Sequence, residues 1–294
     1  MKFTKIMSGL ILATTLTGCV FHVGHSREAT IKLEETLLLD TAGISTLEVD
    51  AGSGSLEIIG VKGAKNIEVA ATIWKHESSE YKLYLNKSGS DADLVADMSS
   101  SYNNSYNSWG SESPRIDLVV KVPARLMLDI EDGSGAITIS DIDNSIKVED
   151  GSGSLTISNV NGALKIDDGS GSLLVKNIVG TLDIKDGSGS IDVSNINGDV
   201  EINDGSGSLK VTDIDGTLSI DDDSGSIVVT NVSGNTRVVD GSGSMIIAHI
   251  DASVYIEDGS GSINVTHTKG LKINGSGSGD LKMNNIDGKV EIDD

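Results

Sequence analysis

Apolar and polar residues alternate in short bursts along most of this chain, and the bursts recur at a fixed interval. Take as origin the Asp that precedes each Gly-Ser-Gly. The position five residues on then reads Ile137, Leu155, Leu173, Ile191, Leu209, Ile227, Met245, Ile263 and Leu281. The position seven residues on reads Ile139, Ile157, Val175, Val193, Val211, Val229, Ile247, Val265 and Met283. Polar neighbours separate the two, which predicts a short strand with one buried face. A second short strand, as in Leu164-Lys165-Ile166 and Leu182-Asp183-Ile184, alternates in the same way. An apolar residue among turn formers lies between them, as in Asn159-Val160-Asn161-Gly162. Helical spacing is absent, and glycine at this frequency opposes a helix.

The origins themselves are Asp132, Asp150, Asp168, Asp186, Asp204, Asp222, Asp240 and Asp258, eighteen residues apart. A ninth copy is slipped: Lys269 to Met283 loses a residue after Gly270 and regains one before Leu281, and the frame then holds to Asp294. No single period can bury its apolar face alone. Stacked copies can, with like strands pairing in parallel and like side chains forming columns. The fold expected is therefore all-β, a parallel β-solenoid with 18-residue coils, preceded by an N-terminal β-strand cap or hairpin insertion. At roughly 4.8 Å per coil, nine coils make a rod about 43 Å long. A flexible-linker reading of the Gly-Ser tracts fails, because linkers do not hold register between apolar columns.

Two polar columns mark the corners. At the Asp-Gly-Ser-Gly-Ser corner, glycine permits positive φ and close approach between coils, and the Asp can accept amides just ahead of it. Nine residues after each Asp comes Asp141, Asn159, Asn177, Asn195, Asp213, Asn231, His249, His267 and Asn285. Stacked amides can bond side chain to side chain along a rod, so Asn159, Asn177, Asn195 and Asn231 read as a ladder. Calcium is the competing reading for the Asp column, since stacked carboxylates repel unless hydrogen-bonded, protonated or neutralised. Calcium-binding β-rolls also use eighteen residues per coil, but with an Asp two residues after the last Gly. Here Leu155, Leu173 or Leu209 holds that place. No cofactor is expected, with calcium the one candidate. His249 and His267 should be neighbours, without an apparent third metal ligand.

Composition adds a compartment and a charge. Residues 1–18 combine Lys2 and Lys5 with an apolar run from Ile6 to Leu16, which reads as an export signal too short to span a bilayer. It ends in Leu16-Thr17-Gly18-Cys19, which resembles the bacterial lipobox. That resemblance implies lipidation of Cys19 and a partnership with the membrane through the lipid anchor. Val20 in place of Asp favours the outer membrane of the cell envelope, by analogy with enterobacterial sorting. Residues 19–34 read as a tether. Cys19 is the only cysteine, so no disulfide can form within the chain. The formal charge is −22, and losing Lys2 and Lys5 leaves 20 basic against 44 acidic residues, or −24. Nucleic acid is excluded as a partner on that charge, while divalent cations, basic proteins and neutral glycans stay open. Aromatics are only 3%, so the core must be built from Ile, Val and Leu. P-loop, GxGxxG, HExxH, CxxC and GxSxG motifs are all missing, and a repeated Ser or Asp is hard to read as a unique nucleophile. An enzyme is not expected.

Residues 35–130 depart from the period and read as N-terminal strands and a cap, leaving 131–294 as the solenoid repeats. Ile67–Trp74, Tyr81–Leu85, Asp93–Met98 and Arg115–Val122 have the pattern of longer strands, and Thr46–Gly60 looks like an earlier coil out of frame. A cap of this kind would cover an edge that could otherwise recruit other strands. The loop Ser99–Ser113 carries Tyr102, Tyr106 and Trp109 among Ser and Asn. That composition suits an adaptable contact with a glycan or protein ligand, and equally a self-packed loop.

The recurring "SGSLxVxNIxGxLxI" units, led by Asp117–Ile139 with its Val122-Pro123 step, resemble a bacterial family of β-strand-repeat proteins called "putative adhesins", a domain of unknown function. The resemblance covers roughly Ile44 to Asp294. It implies a β-repeat architecture and an adhesive or scaffolding role at the cell surface, and it carries over no catalytic or binding residue. The competing expectation is a periplasmic envelope-maintenance lipoprotein that binds a protein partner.

Overall fold

In the computed structural model the described residues are 31–77, 79–99, 113–276 and 278–293. They form 22 strands and no helix. From Met127 onward the chain is a parallel β-solenoid with eighteen residues per coil. Leu164 lies beside Ile146 on one side and Leu182 on the other, and Leu173 beside Leu155 and Ile191. One coil shows why the sequence winds this way. Leu164, Ile166, Leu173, Val175 and Ile178 are all at most 2% exposed, and the alternating residues between them face out. Each such aliphatic contributes about 1.5–3 kcal/mol on burial. Neighbouring coils supply its contacts, so the core is one continuous column of Ile, Val and Leu.

The corner after Asp168 stays inside the hydrogen-bond ladder. The Gly169 amide donates to the Asp150 carbonyl (2.8 Å), and the Gly171 amide to the Ser188 carbonyl (3.0 Å). Gly171 has φ +144°, and a Cβ there would sit 1.7 Å from the Gly153 carbonyl oxygen. Coils can approach this closely only without side chains, which is why the Gly-Ser tract recurs.

The N-terminal region is built differently from the expectation. Strands β1 (Ile31–Asp40), β2 (Thr46–Val61), β3 (Asn66–Lys75), β4 (Glu80–Ser88), β5 (Asp91–Ser99), β6 (Arg115–Pro123) and β7 (Met127–Ile142) share the same two walls as the later coils. β2 is not out of frame in space. It pairs in parallel with β7 from Thr46↔Met127 to Ile59↔Ser140, so Ala51 lies beside Asp132 and Leu56 beside Ile137. On its other side β2 pairs with β5 and β6, which form one split coil. The solenoid therefore begins well before residue 131, and the 35–130 boundary does not separate cap from coils. The cap is narrower: β4 pairs antiparallel with β5, β3 antiparallel with β6, and β1 antiparallel with β3. β1 also begins at Ile31, inside the stretch expected as tether, because Ile31 pairs with Lys75.

Each wall is thirteen strands deep, from β4 to Val290–Asp293 on one side and from β1 to Leu281–Ile286 on the other. At roughly 4.8 Å per step the stack is about 58 Å long, more than the nine repeats alone would span. The slip in the ninth copy is also located. Ile250 pairs with Thr268 but Ser253 with Gly270, so the residue is lost before Gly270 and not after it as the sequence suggested, and it is regained between Asn274 and Ser276.

Candidate functional site: two corner columns and a groove

The first column is the Asp corner. Leu164, Ile166 and Asp168 have the same parity along their strand, so the carboxylate points inward with the two aliphatics. Asp132, Asp150, Asp168, Asp186, Asp204, Asp222, Asp240 and Asp258 are all between 1% and 7% exposed. One oxygen is held by the turn: Oδ1 of Asp150, Asp168, Asp186, Asp204 and Asp222 accepts the amide of the Ser two residues on at 3.1 Å, and that of Asp240 at 3.0 Å. The other oxygen, Oδ2, is buried and without a hydrogen-bond partner at all eight positions.

Burial accordingly makes the ionised form unfavourable. Desolvation, with repulsion from Asp150, pushes Asp132 up to about 7 against the pull of the Gly133 amide. Burial raises Asp168, Asp204, Asp222 and Asp240 to about 6, helped by neighbouring aspartates and opposed by the serine amides. Asp150, Asp186 and Asp258 are raised by the same desolvation.

The second column is the Asn corner. All nine positions from Asp141 to Asn285 have φ between 54° and 64°. Asn and Asp tolerate this left-handed conformation best among residues with a Cβ. Amide bonds then run coil to coil: Asn159 Nδ2 to Asp141 (3.0 Å), Asn177 to Asn159 (2.9 Å), Asn195 to Asn177 (2.7 Å) and Asn231 to Asp213 (2.9 Å). His249 and His267 continue the column as stacked rings with centroids 4.7 Å apart, and Asn285 Nδ2 lies 2.8 Å from His267 Nε2. Among the described residues, no three His, Cys, Asp or Glu side chains converge to hold a metal ion.

Beside this corner an open groove of about 800 Å³ runs along the later coils, from Asn195 to Asp287. Its walls are the ladder residues and a second column two residues on, including Asp215, Ser233, Asp251 and Lys269. Hydrogen-bonding groups thus repeat along it once per coil. It can hold an extended polar chain laid parallel to the rod.

A further cluster, which sequence reasoning missed, lies on the outer face of the cap. Trp74 carries Lys32 Nζ 5.6 Å and Arg115 Cζ 5.0 Å from its ring centroid. Its Nε1 donates to Asp117 Oδ2 (3.1 Å), which also accepts Arg115 Nε at 3.1 Å. The concentration of aromatics before Ile130 was the available signal, but nothing in the sequence joined Lys32, Trp74 and Arg115. Between Ala96 and Leu118 the sequence is longer than the four residues with which β2 passes from Ala51 to Leu56. Tyr102, Tyr106 and Trp109 fall in that stretch of sequence and lie outside the described residues, as does Cys19. No helix among the described residues is long and apolar enough to cross a membrane.

No family model matches the chain, and no curated protein matches it. Two solved structures are similar in outline. One is described as a "putative cell adhesion protein" from Clostridium sporogenes, at 13% identity and TM-score 0.28, with 86% of this chain and 99% of that one covered. The other is described as a "Putative lipid binding protein" from Parabacteroides distasonis, at 16% identity and TM-score 0.36, with 88% and 96% covered. At these values neither likeness assigns an activity or a ligand, and the repeat architecture stands on the strand pairing described above.

Proposed function

We propose that this protein is a lipid-anchored rod of the cell envelope, an adhesin or scaffold without catalytic activity, which contacts a polar ligand along the groove of its later coils. The observation that carries the reading is the groove itself: two columns of hydrogen-bonding side chains in step with the coils, on a rod stiffened by a continuous aliphatic core. A glycan or an extended protein segment has the repeating polar groups to match it. Anchoring at Cys19 and an outer-membrane destination are part of the proposal, supported by the lipobox residues Leu16 to Cys19 and by Val20. Twelve residues from Cys19 to Ile31 span at most about 43 Å, so an anchor at Cys19 would keep the start of β1 within that distance of the membrane.

A periplasmic scaffold is the second reading. Tyr102, Tyr106 and Trp109, between β5 and β6 in the sequence, are the residue types that suit contact with a protein partner. Protease treatment of intact cells separates the two. A surface adhesin is cut from outside, and a periplasmic scaffold is protected until the outer membrane is opened. Replacing Cys19 with Ala should move the protein to the soluble fraction. Retention in the membrane fraction would refute the anchor.

A further inference from the structure

The buried aspartates form an unusual object: eight carboxyls in register, each with Oδ2 sealed in the core without a partner. The six from Asp150 to Asp240 have Oδ1 engaged by their own turns, whereas Asp258 has Oδ1 buried and unpartnered as well. Backbone pairing sets each beside the next, Asp132↔Asp150, Asp150↔Asp168, and so on to Asp240↔Asp258. The spacing is therefore one coil, roughly 4.8 Å. The column is also bounded. The coil below Asp132 places Ala51 at this position, and the coil above Asp258 places Ser276 there.

The surroundings leave few ways to neutralise such a column. The inward positions that flank each corner are aliphatic, as Ile166 and Leu173 are around Asp168. The residue preceding each Asp faces solvent: Glu131, Glu149, Asp167, Lys185, Asn203, Asp221, Val239 and Glu257 in turn. Lys185 is the only cation of that row, and Asp223 adds a further negative charge at the corner after Asp222. The nearest ionisable groups are thus overwhelmingly other carboxylates. An orphaned buried acceptor and a repelling neighbour are both satisfied by one proton shared between two carboxyls.

We propose that the Asp column is a proton-binding spine, in which a protonated carboxyl of one coil donates its Oδ2–H to the carboxylate of the next. The protons come from solvent as the coils assemble, and no other co-reactant is needed. Taken two by two, with one proton to each two, the eight carboxyls take up about four protons, with macroscopic titrations that belong to the column and not to single residues. The spine does not depend on which ligand the groove holds.

The test uses the full chain in detergent. Infrared difference spectra with isotope-labelled aspartate should show a protonated-carboxyl carbonyl band at pH 6, where free aspartate is ionised. Unfolding in a weakly buffered indicator solution at the same pH should release about four protons per chain. Asp204→Asn supplies a donor amide in place of a shared proton. It should fold, and should release about one proton fewer. Asp223→Asn, at the exposed neighbouring position, should leave the count within about half a proton of the parent. Absence of the carbonyl band together with no proton release at pH 6 overturns the proposal. A column filled by sodium or calcium in place of protons does so too, and would appear as melting that depends on the cation without a carbonyl band. If Asp204→Asn fails to fold, the band and the proton count of the parent chain decide the matter alone.

Discussion

Replacing Gly207 with Ala should damage the rod far more than one methyl group suggests. Gly207 sits at the Asp corner with φ +147°, and an added Cβ would lie 1.7 Å from the Gly189 carbonyl oxygen and 2.8 Å from its carbon. Backbone is what it meets, so no side chain can rotate away. The conformation itself is open almost only to glycine and costs about 1–3 kcal/mol with a Cβ. Relieving the contact means lifting one coil off the next at the corner. That weakens the Gly189 amide bond to the Ser206 carbonyl (2.9 Å) and the Gly207 bond to Ser224 (3.0 Å). Each such bond contributes about 1 kcal/mol net. The sum is a loss of about 3–5 kcal/mol, read from urea denaturation followed by far-ultraviolet circular dichroism. Because coils touch only their neighbours, the variant should also lose cooperativity and melt in two blocks on either side of the lesion. The control is Gly63→Ala, whose φ is +76° but whose Cβ would meet nothing within 4 Å. It should cost about 1 kcal/mol, the conformational share alone. If the two variants lost equal stability, close stacking of coils would not be the reason for glycine at the corner.

Other outcomes follow from the same geometry. Asn177→Ala loses ladder bonds of 2.9 and 2.7 Å and places Ala at φ 58°, for a cost of about 2–4 kcal/mol. Asn177→Gly should recover about half of it, and equal losses in denaturation midpoint would mean that the side-chain ladder carries the whole effect. Stability should also fall as pH rises. Folded Asp132 is raised to about 7, and Asp168, Asp204, Asp222 and Asp240 to about 6, while the unfolded chain titrates near pH 4. The native state therefore holds protons that the unfolded state releases between these values. Stability is greatest at or below pH 4 as far as this column is concerned, declines to about pH 7, and is level above. A shift of two units is about 3 kcal/mol for one group, and midpoints measured at pH 4.5 and 7.5 test the sign. Finally, melting with and without a chelator tests calcium. A rise of several degrees on adding calcium, with the carbonyl band kept, would mean that exposed carboxylates hold the ion, and an unchanged midpoint would remove it as a stabiliser.

Much of this architecture is legible in the sequence alone. Columns such as Leu155, Leu173 and Ile191 declare a stacked repeat because only parallel pairing in register puts them together. The Asn column was visible for the same reason. Two features were harder. The inward direction of the aspartates was available in the alternation of Leu164, Ile166 and Asp168, but an ionisable residue next to glycine reads as a solvent-facing turn. β2 was hidden by topology: Thr46 and Met127 are neighbours although a whole excursion through β3, β4, β5 and β6 lies between them. Periodicity along a sequence registers equal spacing, and an insertion erases equal spacing without disturbing contact. The Trp74 cluster was hidden in the same way, since antiparallel pairing in the cap joins Lys32 to Trp74 and Trp74 to Arg115.

The hydrogen bonds between coils, as in Gly171 to Ser188, all point along the rod. A pull on its far end would meet them one row at a time, peeling the outermost turn before it troubled the one beneath. Each eighteen-residue turn set free adds roughly 60 Å of slack, about twelve times the length it occupied when wound. A tethered protein made this way yields under tension in equal instalments and rewinds onto the turn still in place.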